Sequence, residues 1–245
     1  GRTKEKGQKT VFSLQTLAAL TLGTTMMFEA WGYMLPQQNP TDLLILVNKT
    51  NKAPAVPVTL VKPNVQPTRE SASENIYMRP EAAAALEALF AGAAEDGLTL
   101  YATSGYRSYS TQKAIFERKL DRMSEKQANL SVAKPGYSEH QTGLAMDIEG
   151  ETTKGTGLTE AFGESPEGIW AAKHCAEYGF IIRYPKDKTK ITGYIYEPWH
   201  LRYVGREAAQ EITALDVTFE EYIAMVRSDR IQWLQEETQY DDQNP

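Results

Sequence analysis

The chain contains three histidines, at positions 140, 174 and 200, and two of them stand near carboxylates at spacings that could do chemistry. The first stretch is "GYSEHQTGLAMDI", Gly136 to Ile148. Its last six residues, "GLAMDI", read as a strand, with Leu144, Met146 and Ile148 on one face and Ala145 and Asp147 on the other. The apolar face belongs to a core. The other face holds a carboxylate beside a small residue, and a lone buried aspartate is costly unless it is paired or bound to a metal. His140 lies seven positions earlier, across Gly143, which permits a turn, so His140 and Asp147 could meet.

The second stretch is "EPWH", Glu197 to His200. In a regular strand, residues three apart face opposite ways. Pro198 interferes with a regular strand, so a turn there could aim Glu197 and His200 at one point. Two histidines and one carboxylate with an open position suit a catalytic zinc. A second carboxylate outside the ligand set suits a general base acting on water. The third stretch is "SGYRSYSTQ", Ser104 to Gln112, between a strand and a helix, where Arg107 could reach a carboxylate or a developing oxyanion. Taken singly, each pattern has a plainer explanation: a turn cap or ion pair for Asp147, a packed histidine beside Trp199, a surface arginine. His174 is the contrast. It sits in mid-helix and reads as exposed, with Cys175 turned about 100° away into the core.

The elements that must position these residues can be read from periodicity and caps. "RPEAAAALEALFAGAAEDG" is a helix, with Pro80 in its first turn, Gly97 at its end, and Ala82, Leu86, Leu89, Phe90 and Ala93 on one apolar face. "LTLYATSG" alternates as a strand. "YSTQKAIFERKLDRMSEKQANL" reads as one helix capped by Ser110, and "EGIWAAKHCAEYGF" as another, closed by Gly179. "ITGYIYEPWHLRYVG" reads as strands meeting at a break, and "REAAQEITAL" and "TFEEYIAMVRSD" as terminal helices. Helices and strands come in mixed order with no regular βαβ rhythm, which predicts an α+β fold with a small central antiparallel sheet flanked by helices.

Four segments are expected. Residues 1–35 begin basic and continue with the uncharged run Val11 to Phe28, the layout of an export signal or membrane anchor. The plainer alternative is an amphipathic helix. Residues 36–75, with six prolines and one strand-like patch, "DLLILVN", read as an extended lead-in that wraps the domain. Residues 76–235 form the domain proper, and 236–245 an acidic tail. At 245 residues, 41% hydrophobic and 24% charged, the chain is an ordinary globular one. Its net charge of −6 argues against nucleic acid as a main partner. One cysteine excludes an intramolecular disulfide.

Together, "SGYRSYSTQ", the pattern S-x-H-x-x-G-x-A-x-D in "SEHQTGLAMD", and "YEPWHLRYVG" resemble the VanY-type D-alanyl-D-alanine carboxypeptidases. These are zinc peptidases of the superfamily that also holds lysostaphin-like enzymes and the hedgehog signalling domain. "DLLILVNKTNKAP" and "YGFIIRYPKDKTKITGY" extend the resemblance, which spans residues 41 to 206. It implies a Zn2+ site in a cleft on the sheet, with His140, Asp147 and His200 as ligands. It implies that Glu197 is the catalytic base, that Arg107 stabilises the oxyanion or holds substrate, and that Ser138 and Gln112 line the substrate end of the cleft. The implied activity is removal of a C-terminal D-alanine from peptidoglycan stem peptides or precursors, by a D,D- or L,D-carboxypeptidase exported to the cell envelope. Membrane contact would run through the N-terminal segment. Other readings are a D-Ala-D-Ala dipeptidase or endopeptidase of the same superfamily, a non-catalytic zinc-containing wall-binding module, and a non-heme Fe(II) oxygenase. The oxygenase lacks its usual His-x-Asp spacing, and Glu197 with Arg107 argues against a mere binding module.

Overall fold

In the computed structural model, residues 42–55, 59–229 and 232 are described. One compact unit spans Asn39–Ile223. The other comprises Gly1–Gln38 and Ala224–Pro245, of which residues 224–229 and 232 are described, as helix. The basic and apolar N-terminal segment and the acidic tail lie outside the described residues. Among the described residues no helix is long and apolar enough to cross a membrane.

Four strands build an antiparallel sheet: β1 (Leu100–Ser104), β2 (Ala145–Gly150), β3 (Phe180–Tyr184) and β4 (Glu197–Tyr203), in the order β1-β2-β4-β3. Strand alternation gives the sheet two unlike faces. Leu100, Ala102, Met146, Ile148, Phe180, Trp199 and Leu201 join one core cluster. Helix α1 (Pro80–Glu95) lies in that cluster through Ala82, Leu86, Leu89 and Ala93, all fully buried. Pro80 takes its first position, where no N–H is needed, and Gly97 follows its end at φ 77°. The opposite face carries Asp147, Glu149, Arg183, His200 and Arg202, every one buried.

The sequence around 109–131 forms two helices rather than one. Helix α2 (Tyr109–Leu120) is capped by Ser108, not Ser110, the Ser108 side chain accepting from Thr111 N. Helix α3 (Glu125–Ser131) starts at its own capping box on Ser124 and Gln127, which stops α2 from running on. Helix α4 (Pro166–His174) passes into a 3-10 turn (Cys175–Tyr178), and Gly179 closes it at φ 87°. Helix α5 (Arg206–Leu215) and helical residues 219–223 bury Ala209, Ile212, Phe219, Tyr222 and Ile223 against Ile181 and Val204. "DLLILVN" forms no strand; Ile45 and Val47 are nonetheless buried in the main core. Its apolar residues supply burial without a partner strand. His174 is half-buried rather than exposed, stacked on Trp170 at 4.8 Å and 2.7 Å from Glu177, while Cys175 is buried as expected.

Candidate metal centre

Register places the first pair. Asp147 on β2 lies directly opposite His200 on β4, and both side chains leave the polar face. The second pair needs a defect. Between β3 and β4, Ile182 pairs with Leu201 but Tyr184 pairs with Glu197, so β4 carries extra residues there. This bulge, at Pro198, undoes strict alternation and turns Glu197 to the same side as His200. The expected turn is thus an irregularity within a continuous strand. His140 comes from a 3-10 turn (Glu139–Thr142) that Gly143 ends at φ 72°.

The ligand-capable atoms of His140, Asp147 and His200 all lie within 4.8 Å of one another, and all three residues are buried. His140 Nε2 is 3.4 Å from Asp147 Oδ2, and His200 Nδ1 is 3.3 Å from Asp147 Oδ1. A tetrahedron with zinc–ligand bonds of about 2.0–2.1 Å has edges of about 3.3 Å. Asp147 Oδ1 is buried without a hydrogen-bond partner, since His200 Nδ1 stands near it but off hydrogen-bonding geometry. A buried carboxylate oxygen left this way calls for a cation. His140 Nδ1 donates to Gly105 O at 2.7 Å, so its Nε2 keeps a lone pair toward the aspartate. The donor set, the spacing and the orphaned oxygen therefore fit zinc.

Glu197 Oε2 lies 3.7 Å from His200 Nδ1. Burial, with Asp147 adding to it and His200 opposing, pushes the Glu197 carboxyl up to about 7. Burial also acts on Asp147, but His140 and Arg107 outweigh it and hold that carboxyl well below its ordinary value. His140 is pushed down to about 4 by burial and by Arg107. Burial opposes the charge on His200, yet Asp147 and Glu139 raise it to about 9. Among protein groups alone, the carboxylates thus favour a proton on His200 where a metal would compete for the same nitrogen.

Arg107 Nη2 donates to Asp147 Oδ2 at 2.5 Å, and its Nε donates to Ser104 Oγ at 2.8 Å. A second bulge, between Ala102 and Ser104 in β1, brings Ser104 opposite Asp147. Ser138 is buried just before the His140 turn. Gln112 is buried in α2, its Nε2 donating to Ala133 O at 2.8 Å and its Oε1 unpartnered.

Two features escaped the sequence reading. Glu139 is fully buried against His200, and its only sequence signal was its place beside His140. Tyr194 has a buried hydroxyl with no partner, packs on Tyr184 at 4.4 Å, and Tyr184 packs on His200 at 4.9 Å. A groove of about 740 Å³ opens nearby in sequence, lined by Tyr106, Tyr109, Tyr137, Lys52 and Gln141, neighbours of Arg107 and His140.

A family model described as VanY, D-alanyl-D-alanine carboxypeptidase, matches residues 75–206. The chain belongs to the VanY family. It is 49% identical over 192 residues to the putative carboxypeptidase YodJ of Bacillus subtilis (strain 168), covering 78% of this chain and 70% of that one. The LdcB LD-carboxypeptidase structure matches with TM-score 0.71 and 49% identity, covering 76% of this chain and 87% of that one. The zinc complex of a D,D-pentapeptidase VanY variant matches with TM-score 0.61 and 36% identity, over 74% of this chain and 98% of that one. VanY-family membership makes the protein a zinc-dependent carboxypeptidase, with the mixed helix and antiparallel-sheet architecture seen above.

Proposed function

We propose that the protein removes the C-terminal D-alanine from peptidoglycan stem peptides, with His140, Asp147 and His200 as the zinc ligands. The observation that carries this is the buried cluster of those three residues with Glu197 at 3.7 Å from His200 Nδ1. Zinc held there supplies Lewis acidity to the scissile carbonyl and to the attacking water. Glu197, poised near neutrality by burial, accepts the water's proton and returns it to the leaving amine. Arg107 sits close enough to Asp147 to present its guanidinium where the oxyanion forms. Ser138 and the unpartnered Gln112 Oε1 are assigned to the substrate end.

Tetrapeptide stems, with an L,D bond to the terminal D-alanine, are the first expectation. The 49% identity to the LdcB LD-carboxypeptidase supports this over the 36% to the VanY pentapeptidase. Family membership keeps the D,D-pentapeptide as the second reading. We assign the activity to residues 76–235 and the site of action to the cell envelope, with residues 1–35 as export or anchoring element. Mass spectrometry of defined tetra- and pentapeptide stems incubated with the zinc-loaded protein tests the assignment. Loss of one alanine from the tetrapeptide is expected. Both stems left intact would refute the activity, and loss from the pentapeptide alone would replace the first reading by the second.

A further inference from the structure

Buried next to the metal-ligand cluster is a group of charges that the reaction itself does not use. The Glu139 side chain is fully buried, as are those of Arg183 and Arg202. Glu139 Oε1 accepts from Arg183 Nε and from Arg202 Nη1, each at 2.7 Å. Its other oxygen, Oε2, lies 3.3 Å from His200 Nε2. Both arginines are themselves anchored. Arg183 grips Glu220 through Nη1 at 2.9 Å and Nη2 at 2.6 Å. Arg202 Nη2 donates to the carbonyls of Leu43 and Ile45, each at 2.8 Å. The Phe219 ring covers both guanidiniums, at 5.3 and 4.9 Å.

A carboxylate between two guanidiniums is ionised and can only accept hydrogen bonds. The hydrogen in the Glu139–His200 contact must therefore lie on Nε2 of the imidazole. In the neutral imidazole that a metal requires, this leaves Nδ1 with the lone pair, and Nδ1 is the nitrogen that faces Asp147 Oδ1 and Glu197 Oε2. His140 is arranged the other way round: the Gly105 carbonyl takes its Nδ1–H and frees Nε2. The two histidines thus offer opposite nitrogens, one set by a neutral carbonyl and one by a charged carboxylate. A charged acceptor both fixes the ring and raises the donor strength of the opposite nitrogen.

We infer that Glu139 is a positioning residue for the metal centre: it holds His200 as the Nε2–H tautomer so that Nδ1 is the metal donor, with Arg183 and Arg202 holding Glu139 in place. The inference rests on the zinc reading above and adds a residue outside the ligand set. Arg183 stands on β3, Arg202 on β4 and Glu220 in helical residues 219–223, and the two carbonyls belong to the lead-in. Parts of the chain far apart in sequence therefore converge on the non-ligating nitrogen of one ligand histidine.

The test uses the full chain loaded with zinc. Nitrogen-15 NMR of histidine-labelled wild type reads the tautomer directly, and the expected result is Nε2–H for His200 with Nδ1 bound to metal. The opposite assignment would overturn the inference. Competition against a chromophoric chelator then compares wild type with Glu139→Gln, where zinc affinity is expected to fall by about 10- to 100-fold. Because Glu139→Gln leaves an unbalanced buried positive charge, the double variant Glu139→Gln/Arg183→Gln, which removes one charge of each sign, is measured beside it. A folded variant of either kind, by circular dichroism, that binds zinc within about twofold of wild type would overturn the positioning role at the scale expected of such partners. Wild type that binds no zinc would instead overturn the metal reading itself.

Discussion

Glu197 and His200 are three residues apart and turn to the same side of β4, and the roles proposed for them separate on membership of the buried three-residue cluster. Glu197 stands 3.7 Å from the His200 nitrogen and outside the three-residue ligand cluster, so it is free to carry a proton. Glu197→Gln keeps the shape and removes the basic oxygen. We expect zinc content to stay at the wild-type level while turnover falls about 100- to 10,000-fold. Elemental analysis beside a stem-peptide assay checks this, and near-normal hydrolysis would remove Glu197 from its role. His140→Ala and His200→Ala should each lose zinc, because two donors cannot hold a buried catalytic metal as three do. Full metal occupancy in either variant would contradict the ligand assignment.

At the scale of elements, the centre depends on backbone that has no room to spare. A Cβ on Gly105 would stand 2.4 Å from the carbonyl oxygen of Tyr77 and 3.0 Å from Met146. The Gly105 carbonyl is also the acceptor for His140 Nδ1. Gly105→Ala should therefore cost about 1–3 kcal/mol of stability by overpacking and weaken zinc binding as well. Thermal unfolding and chelator competition read the two effects separately, and unchanged zinc affinity would show that the loop tolerates displacement. Ser124→Ala offers a contrast. It breaks the capping box that begins α3 and should cost about 1 kcal/mol with turnover unchanged. A loss of activity there would tie α3 to the site. The helix boundary at Ser124 is not legible in the sequence because Asp121, Arg122 and Met123 include no glycine or proline to break the helical pattern, while the cap is a hydrogen-bond feature. The strand in "GLAMDI" was legible because its alternation matches two different neighbours, an apolar core on one face and the buried polar set on the other.

Across the whole molecule, burial of weak acids sets the response to alkali. Burial pushes the Cys175 thiol up to about 12 from an ordinary value of 9.0 and raises the Tyr194 phenol as well. A raised folded-state pKa means that the contribution to stability is full below the unfolded value and declines as pH rises toward the folded one. The urea midpoint should therefore start to fall above about pH 9, when the unfolded chain releases the Cys175 proton that the folded chain retains. A midpoint unchanged up to pH 11 would contradict that burial. The same seclusion predicts that the thiol reacts with alkylating reagents only after unfolding. The compact unit Asn39–Ile223 is held by a core that joins Ile45 and Val47 to α1 and the sheet. The lead-in thus contributes packing although it has no regular structure there.

The amino-acid sequence by itself determined the residue types able to act, their order in three motifs, the helical face of α1, the alternation of β2, and the family those motifs resemble. These are properties of local period and residue chemistry, which need no neighbours to be read. Tertiary structure alone decided the rest. The bulge at Pro198 turns Glu197 toward His200, and bulges are departures from the very period a sequence reading relies on. The Gly105 carbonyl selects the free nitrogen of His140, and Glu139 with its two arginines selects that of His200. Hydrogen bonds and ion pairs between residues tens of positions apart leave no local trace, since each depends on where the sheet brings its strands together.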